Sequence, residues 1–126
     1  GSAAEGSRRM FGGTPMLHTE TLTLNKEFRR AYYRGRAFTT PVVVVYVLKN
    51  HKGINRIGLT ATKKIGKAVR RNRARRVLKE AYRLLEPQFP VGNDYVFVAR
   101  TKTVFASTQE VMRAMRSVIE KLGKKS

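Results

Sequence analysis

The chain has no cysteine, two histidines and only eight acidic residues among its 126. Without cysteine there are no disulfides, thiolate metal sites or thiol nucleophiles, a usage compatible with a reducing cytoplasm. His18 lies near the start and His51 in a polar turn, so both read as solvated side chains rather than general bases. Glu20, Glu27, Glu80, Glu86, Asp94, Glu110 and Glu120 are scattered, without the close pairing a two-metal nuclease needs. Catalytic residues and a metal held by protein ligands alone are therefore not expected. A phosphate-cradling glycine loop is missing too, because Gly66 lacks companion glycines and a following Ser or Thr. The longest apolar run, Val42 to Leu48, falls far short of the ~18 residues of a membrane span. A soluble chain is expected.

What the chain has in excess is positive charge. Twenty-seven Lys and Arg against eight Asp and Glu give a formal net charge of +19. A polyanionic partner follows, nucleic acid before anionic membrane. The length suits one domain, and 41% hydrophobic residues suffice for one modest core. Residues 1–15 are set aside. Gly1 to Ser7 is small and polar, and Gly12-Gly13-Thr14-Pro15 precedes Met16, so this stretch reads as a disordered, vector-derived leader before a single RNA-binding domain over 16–126.

From Leu24 the pattern is helical: Asn25 can cap, Glu27 suits the positive end of the helix dipole, and Leu24, Phe28, Ala31 and Tyr32 share a face up to Gly35. Val42 to Leu48 is β-branched and apolar on both faces, a strand to be covered on both sides. A polar turn over Asn50 to Asn55 leads to Arg56 to Thr62, where Ile57, Leu59 and Ala61 alternate with other residues, and the two strands are expected to pair as an antiparallel hairpin. A helix follows from about Ala68 to Leu85, stopped by Pro87, with Ala74, Val77, Leu78, Ala81, Leu84 and Leu85 inward. Asp94 to Ala99 reads as a third strand. Thr108 to Leu122 reads as a closing helix with Val111, Met115, Val118, Ile119 and Leu122 inward, before a frayed basic end at Lys124-Lys125-Ser126. The order α-β-β-α-β-α implies an α+β sandwich, helices packed on a small sheet.

Between Lys63 and Lys79 stand nine cations and no carboxylate, and Glu80 is the first acid that could relieve them. Lys63, Lys64 and Lys67 occupy a loop that runs into a helix N-terminus, where backbone amides already favour anions. On the helix, Asn72, Arg75, Arg76, Lys79 and Arg83 oppose the apolar face, Arg71 and Arg73 lie on its boundaries, and Arg70 points coreward in the first turn. The charges are thus sorted into a ridge whose guanidinium groups can grip phosphates in bidentate fashion. A merely solvated face is the bland alternative, and the missing counter-charges argue against it.

The segment Lys63-Lys64-Ile65-Gly66-Lys67-Ala68-Val69-Arg70-Arg71-Asn72-Arg73-Ala74-Arg75-Arg76 resembles the basic "RNR" motif of the bacterial ribonuclease P protein subunit family. Arg56-Ile57-Gly58-Leu59 is similar to the strand entering that motif, Leu24-Asn25-Lys26-Glu27-Phe28 to the family's first helix, and Asp94 to Arg100 to its late strand. The resemblance covers about Leu24 to Leu122. It implies a small mixed sheet with a left-handed βαβ crossover, of the ribosomal protein S5 domain 2-like type, although the general rule favours the opposite hand. It also implies a cytoplasmic bacterial endoribonuclease whose RNA subunit, with Mg2+ bound mainly by that RNA, removes the 5′ leader of precursor tRNA. The isolated chain would be inactive. By position, Lys63, Lys64, Lys67, Arg70, Arg71, Asn72, Arg73, Arg75, Arg76 and Lys79 would face the catalytic RNA. Phe28, Tyr32 and Tyr46 would line the leader-binding cleft between the first helix and the sheet, by stacking; core packing is the competing account for these three. Precursor tRNA is the other implied partner, with no membrane and no small-molecule substrate. From charge and pattern alone, a non-catalytic structural RNA binder of ribosomal-protein type stays open, and an autonomous nuclease is the weakest alternative.

Overall fold

A computed structural model describes residues 19–22 and 25–125. The readings made for the leader, Met16, His18, Leu24 and Ser126, and for the side chains of Lys124 and Lys125, fall outside the described residues. In chain order the elements are β1 (Thr19–Thr21), α1 (Asn25–Arg34), β2 (Arg36–Thr39), β3 (Val43–Lys49), β4 (Asn55–Thr60), α2 (Ala68–Leu85), β5 (Asn93–Ala99), α3 (Thr101–Phe105) and α4 (Thr108–Lys125). Short 3-10 turns at Lys63–Ile65 and Glu86–Gln88 flank α2. The expected α-β-β-α-β-α skeleton is present, and β1, β2 and α3 are additions to it. These three have three to five residues each, too few for a periodicity to register.

One five-stranded mixed sheet organises the molecule, in the order β1-β4-β5-β3-β2. The expected hairpin between β3 and β4 does not form. β5 lies between them, antiparallel to β3 and parallel to β4. The reason is visible in β5, where Tyr95, Val96 and Phe97 are all fully buried and apolar side chains point to both faces. Such a strand belongs at the centre of a sheet. The β3–β4 connection therefore crosses two inter-strand spacings, ~10 Å, rather than one. It does so over the start of β5. The Asn50 backbone N–H donates to Gly92 O at 2.9 Å, and its side-chain amide donates to Ile54 O at 3.1 Å and Asp94 Oδ1 at 2.9 Å. His51 sits at φ 60, the left-handed region that a non-glycine residue rarely enters.

The main core lies between one face of the sheet and α2 and α4. Val43, Val45 and Val47 of β3 and Ile57 of β4 meet Ala74, Leu78, Ala81 and Leu85 of α2 and Val111, Met115 and Val118 of α4. The projection of α2 needs two corrections. Tyr82 is fully buried, packed against Phe89 with ring centroids 4.9 Å apart, whereas Leu84 is 45% exposed. Burial of Tyr82 is tolerated because its hydroxyl is met by Thr19 Oγ1 at 2.8 Å and by the Asn55 side-chain amide at 3.3 Å. α1 covers the opposite face of the sheet more thinly. Ala31, Leu22 and Val96 are buried there, with Phe28, Tyr46 and Val98 partly so. The second face of β3, with Val44, Tyr46 and Leu48, is thus covered only in part.

Candidate nucleic-acid interface

The cationic ridge starts where β4 ends. Ile65 is buried and pegs the 3-10 turn to the core, which turns Lys63, Lys64 and Lys67 outward into solvent. Gly66 then adopts φ 127, a conformation closed to L side chains, and redirects the chain into α2. A Cβ at Gly66 would also lie 3.1 Å from the Arg70 Cδ. The coreward projection of Arg70 is resolved in this way: the side chain lies across Gly66 and stays exposed. Helix α2 has no side-chain cap at Lys67 and no acidic residue in its first turn, so neither a cap nor a first-turn acid meets its positive end.

Arg73 and Arg76 are exposed with Asn72, and Arg71 and Arg75 are half-buried. Asn72 accepts a hydrogen bond from Arg75 Nη1 at 3.0 Å through its Oδ1, which aims that guanidinium along the ridge and leaves the Asn72 amide hydrogens for an acceptor. Among the described residues the ion pairs are Arg56 with Glu27, Arg56 with Asp94, and Arg83 with Glu80, and none uses a cation between Lys63 and Arg76. Glu80 does not relieve the ridge. Both its oxygens accept from Arg83, at 3.1 and 2.6 Å, which holds the Glu80 carboxyl below its ordinary range. Lys79, half-buried at the ridge's far end, has its pKa lowered by burial. The ridge from Ala68 to Lys79 extends ~18 Å at 1.5 Å per residue.

A second arrangement lies on the α1 face. Phe28 packs against β4, where a Cβ at Gly58 would come within 2.3 Å of the Phe28 Cε1; only glycine admits the ring. Tyr32 and Tyr46 meet edge to face, centroids 5.0 Å apart at 78°. Phe28, Tyr32, Asn25, Arg29 and Thr60 line an open slot of about 530 Å³. Tyr32 is 40% exposed while Phe28 and Tyr46 also pack against Ala31 and Val96, so these rings both close a small core and present a surface. Thr60, the last residue of β4, borders the slot, and the chain reaches Lys63 three residues later. Slot and ridge are therefore neighbours.

What holds α1 in place escaped the sequence reading. Arg56 donates through Nε and Nη2 to the two oxygens of Asp94, at 2.8 and 2.7 Å, and through Nη1 to Glu27 at 2.5 Å. The hydrogen bonding of Arg56 to Asp94 leads the causes that raise the Arg56 pKa. This clamp ties α1 to β4 and β5. Its trace in the sequence is the one charged residue in each of two strands, in parallel register: Arg56 stands opposite Asp94. Two further carboxylates are occupied structurally: Glu86 is buried and accepts from Thr19 Oγ1, and Glu110 accepts from the Ser107 N–H at 3.0 Å to cap α4. Among the described residues no three His, Asp or Glu side chains gather where they could hold a metal ion.

The fold has counterparts in known proteins. The family model for Ribonuclease P matches residues 16–123. A ribonuclease P protein component of Clostridium botulinum is 40% identical over 100 residues, covering 79% of this chain and 90% of that protein. One from Thermoanaerobacter is 43% identical over 95 residues, covering 75% and 82%. The solved RNase P protein of Thermotoga maritima superposes with a TM-score of 0.72 at 26% identity, covering 81% of this chain and 96% of that one. The Staphylococcus aureus protein, at 24% identity and a TM-score of 0.71 over 81% and 94%, shares the fold. The chain belongs to the family of bacterial ribonuclease P protein components.

Proposed function

We propose that the α2 ridge binds the catalytic RNA of ribonuclease P and that the slot lined by Phe28 and Tyr32, with Tyr46 packed edge to face against Tyr32 beside it, holds the 5′ leader of precursor tRNA. The observation that carries this reading is the run of cations from Lys63 to Arg76 with no ion pair among the described residues, set beside an open aromatic slot. Two chemistries are thus adjacent. Lys63, Lys64, Lys67, Arg70, Arg71, Arg73, Arg75, Arg76 and Lys79 neutralise phosphates, with Asn72 positioning Arg75. Aromatic faces accept unpaired bases of any identity, which suits a leader of variable sequence.

The chain's part in cleavage is binding and orientation. Hydrolysis would rest with the RNA subunit, whose phosphates would hold the magnesium. By neutralising crowded phosphates, the ridge would let the RNA reach its working fold at lower magnesium. By gripping the leader, the slot would make binding favour precursor over mature tRNA. The bacterial cytoplasm is the compartment this role requires; no helix among the described residues is long and apolar enough to cross a membrane.

The test is reconstitution with a bacterial ribonuclease P RNA at low magnesium. Addition of the chain is expected to restore 5′ maturation, and Tyr32→Ala is expected to erase most of the preference for leader-bearing over leaderless tRNA. Absence of any stimulation, with RNA binding intact, would overturn the proposed role.

A further inference from the structure

Beyond the first helix, on the side away from the slot, lies a larger cleft that neither the ridge nor the slot accounts for. It measures about 790 Å³ and runs between α1 and the loop joining β3 to β4. Lys26, Arg30 and Arg34 line it from α1, and Lys49 and Lys52 from the sheet end and the loop. None of these cations has an ion pair among the described residues. Asp94 is the sole carboxylate in the lining, and Arg56 already occupies both of its oxygens. In the same wall Tyr33 is 87% exposed, a large aromatic ring that packing does not require. An exposed ring among unneutralised cations in a concave surface is the arrangement that binds single-stranded nucleic acid, base on ring and phosphates on the charges.

The cleft is also aligned with the slot. Along β4, Thr60 borders the slot, Gly58 floors the Phe28 ring and Arg56 borders the cleft. Four residue steps along the strand separate the two borders, ~13 Å. Arg29 lines both. We infer that this cleft is a second single-stranded RNA site, in which Tyr33 stacks on a base and Lys26, Arg30, Arg34, Lys49 and Lys52 hold phosphates, and that it takes the stretch of leader continuing past the slot. The identity of the strand rests on the proposed leader-binding role of the slot. The site itself rests on Tyr33 and the cations.

The experiment compares precursor tRNAs whose leaders either just fill the slot or extend well beyond it, bound by the reconstituted holoenzyme. Tyr33→Ala is expected to weaken binding of the long-leader substrate about fivefold or more and to leave the short-leader substrate unchanged, while Tyr33→Phe keeps full affinity. The joint change of Lys49→Gln and Lys52→Gln should flatten the salt dependence for the long leader only. Equal effects on both leaders, or none, overturn the inference. The full chain with labelled oligouridylate and with phosphatidylserine vesicles gives a second readout: loss of vesicle binding in Tyr33→Ala without loss of RNA binding also overturns it. Failure of the slot is separable. If Tyr32→Ala leaves leader preference intact while Tyr33→Ala weakens oligouridylate binding, the slot reading falls and the cleft stands.

Discussion

Single residues decide whether the aromatic surface exists. Phe28 lies on Gly58 because a Cβ there would stand 2.3 Å from the ring. Gly58→Ala should therefore tilt Phe28 off β4 and lift α1, at ~1–3 kcal/mol of stability read from the urea midpoint. Leader preference should fall with it. Tyr82 gives a second residue-scale expectation. Burial is the first cause raising its pKa above the ordinary 10.0, and burial raises that of Tyr95 as well. For a folded pKa above the unfolded one, the stabilisation is complete below pH 10.0 and is lost as pH climbs through the folded value. Unfolding monitored against pH should show stability declining above that point. Tyr82→Phe should cost ~1 kcal/mol at neutral pH through the unmet Asn55 amide and reduce the alkaline slope. That Tyr82 and not Leu84 faces inward could not be read from hydrophobicity, because the Thr19 and Asn55 partners that make its hydroxyl acceptable come from distant parts of the chain.

At the scale of elements, legibility follows sequence distance. The ridge helix runs from Ala68 to Leu85, the bounds that its periodicity and Pro87 predict, because period, proline and charge sorting act within a few turns. Strand neighbours are set by long-range packing. The β3–β4 hairpin was the locally sensible expectation, and the doubly apolar β5 displaced it. The Arg56, Asp94 and Glu27 clamp was hidden for the same reason, since its members meet only once β4 and β5 are parallel neighbours. The ridge, as one element, should behave additively toward phosphates. Arg71→Ala with Arg73→Ala is expected to weaken binding of the catalytic RNA at every sequence and to reduce the log-log salt slope by ~0.7–0.9 for each phosphate left unneutralised. An unchanged slope would mean that the two arginines do not touch phosphate.

For the whole molecule the governing quantity is the imbalance of 27 cations over eight acids. Three carboxylates are committed to arginine pairs and two more to Thr19 and Ser107, so the fold contains little internal neutralisation. Self-repulsion should make the free chain more stable as salt is added, a rise in Tm followed by circular dichroism. Bound RNA should act in the same direction by mass action, adding ~2.7 kcal/mol at a hundredfold excess over Kd. A free chain whose Tm falls with moderate salt would show that packing, and not charge, limits its stability.

The position of β5 also sets an order of events. It is the last strand made and the one that must be inserted between two already made, so the central pairing cannot be completed until Ala99 has left the ribosome. Until then the arginines of α2 ride on a helix with no sheet to seat them, amid the dense phosphate of the translating ribosome. Late insertion of a central strand predicts slow, high-contact-order folding. During that interval a nascent ridge is exposed to any nearby RNA, and the same charge that serves the finished protein must be kept from capturing the machine that is making it.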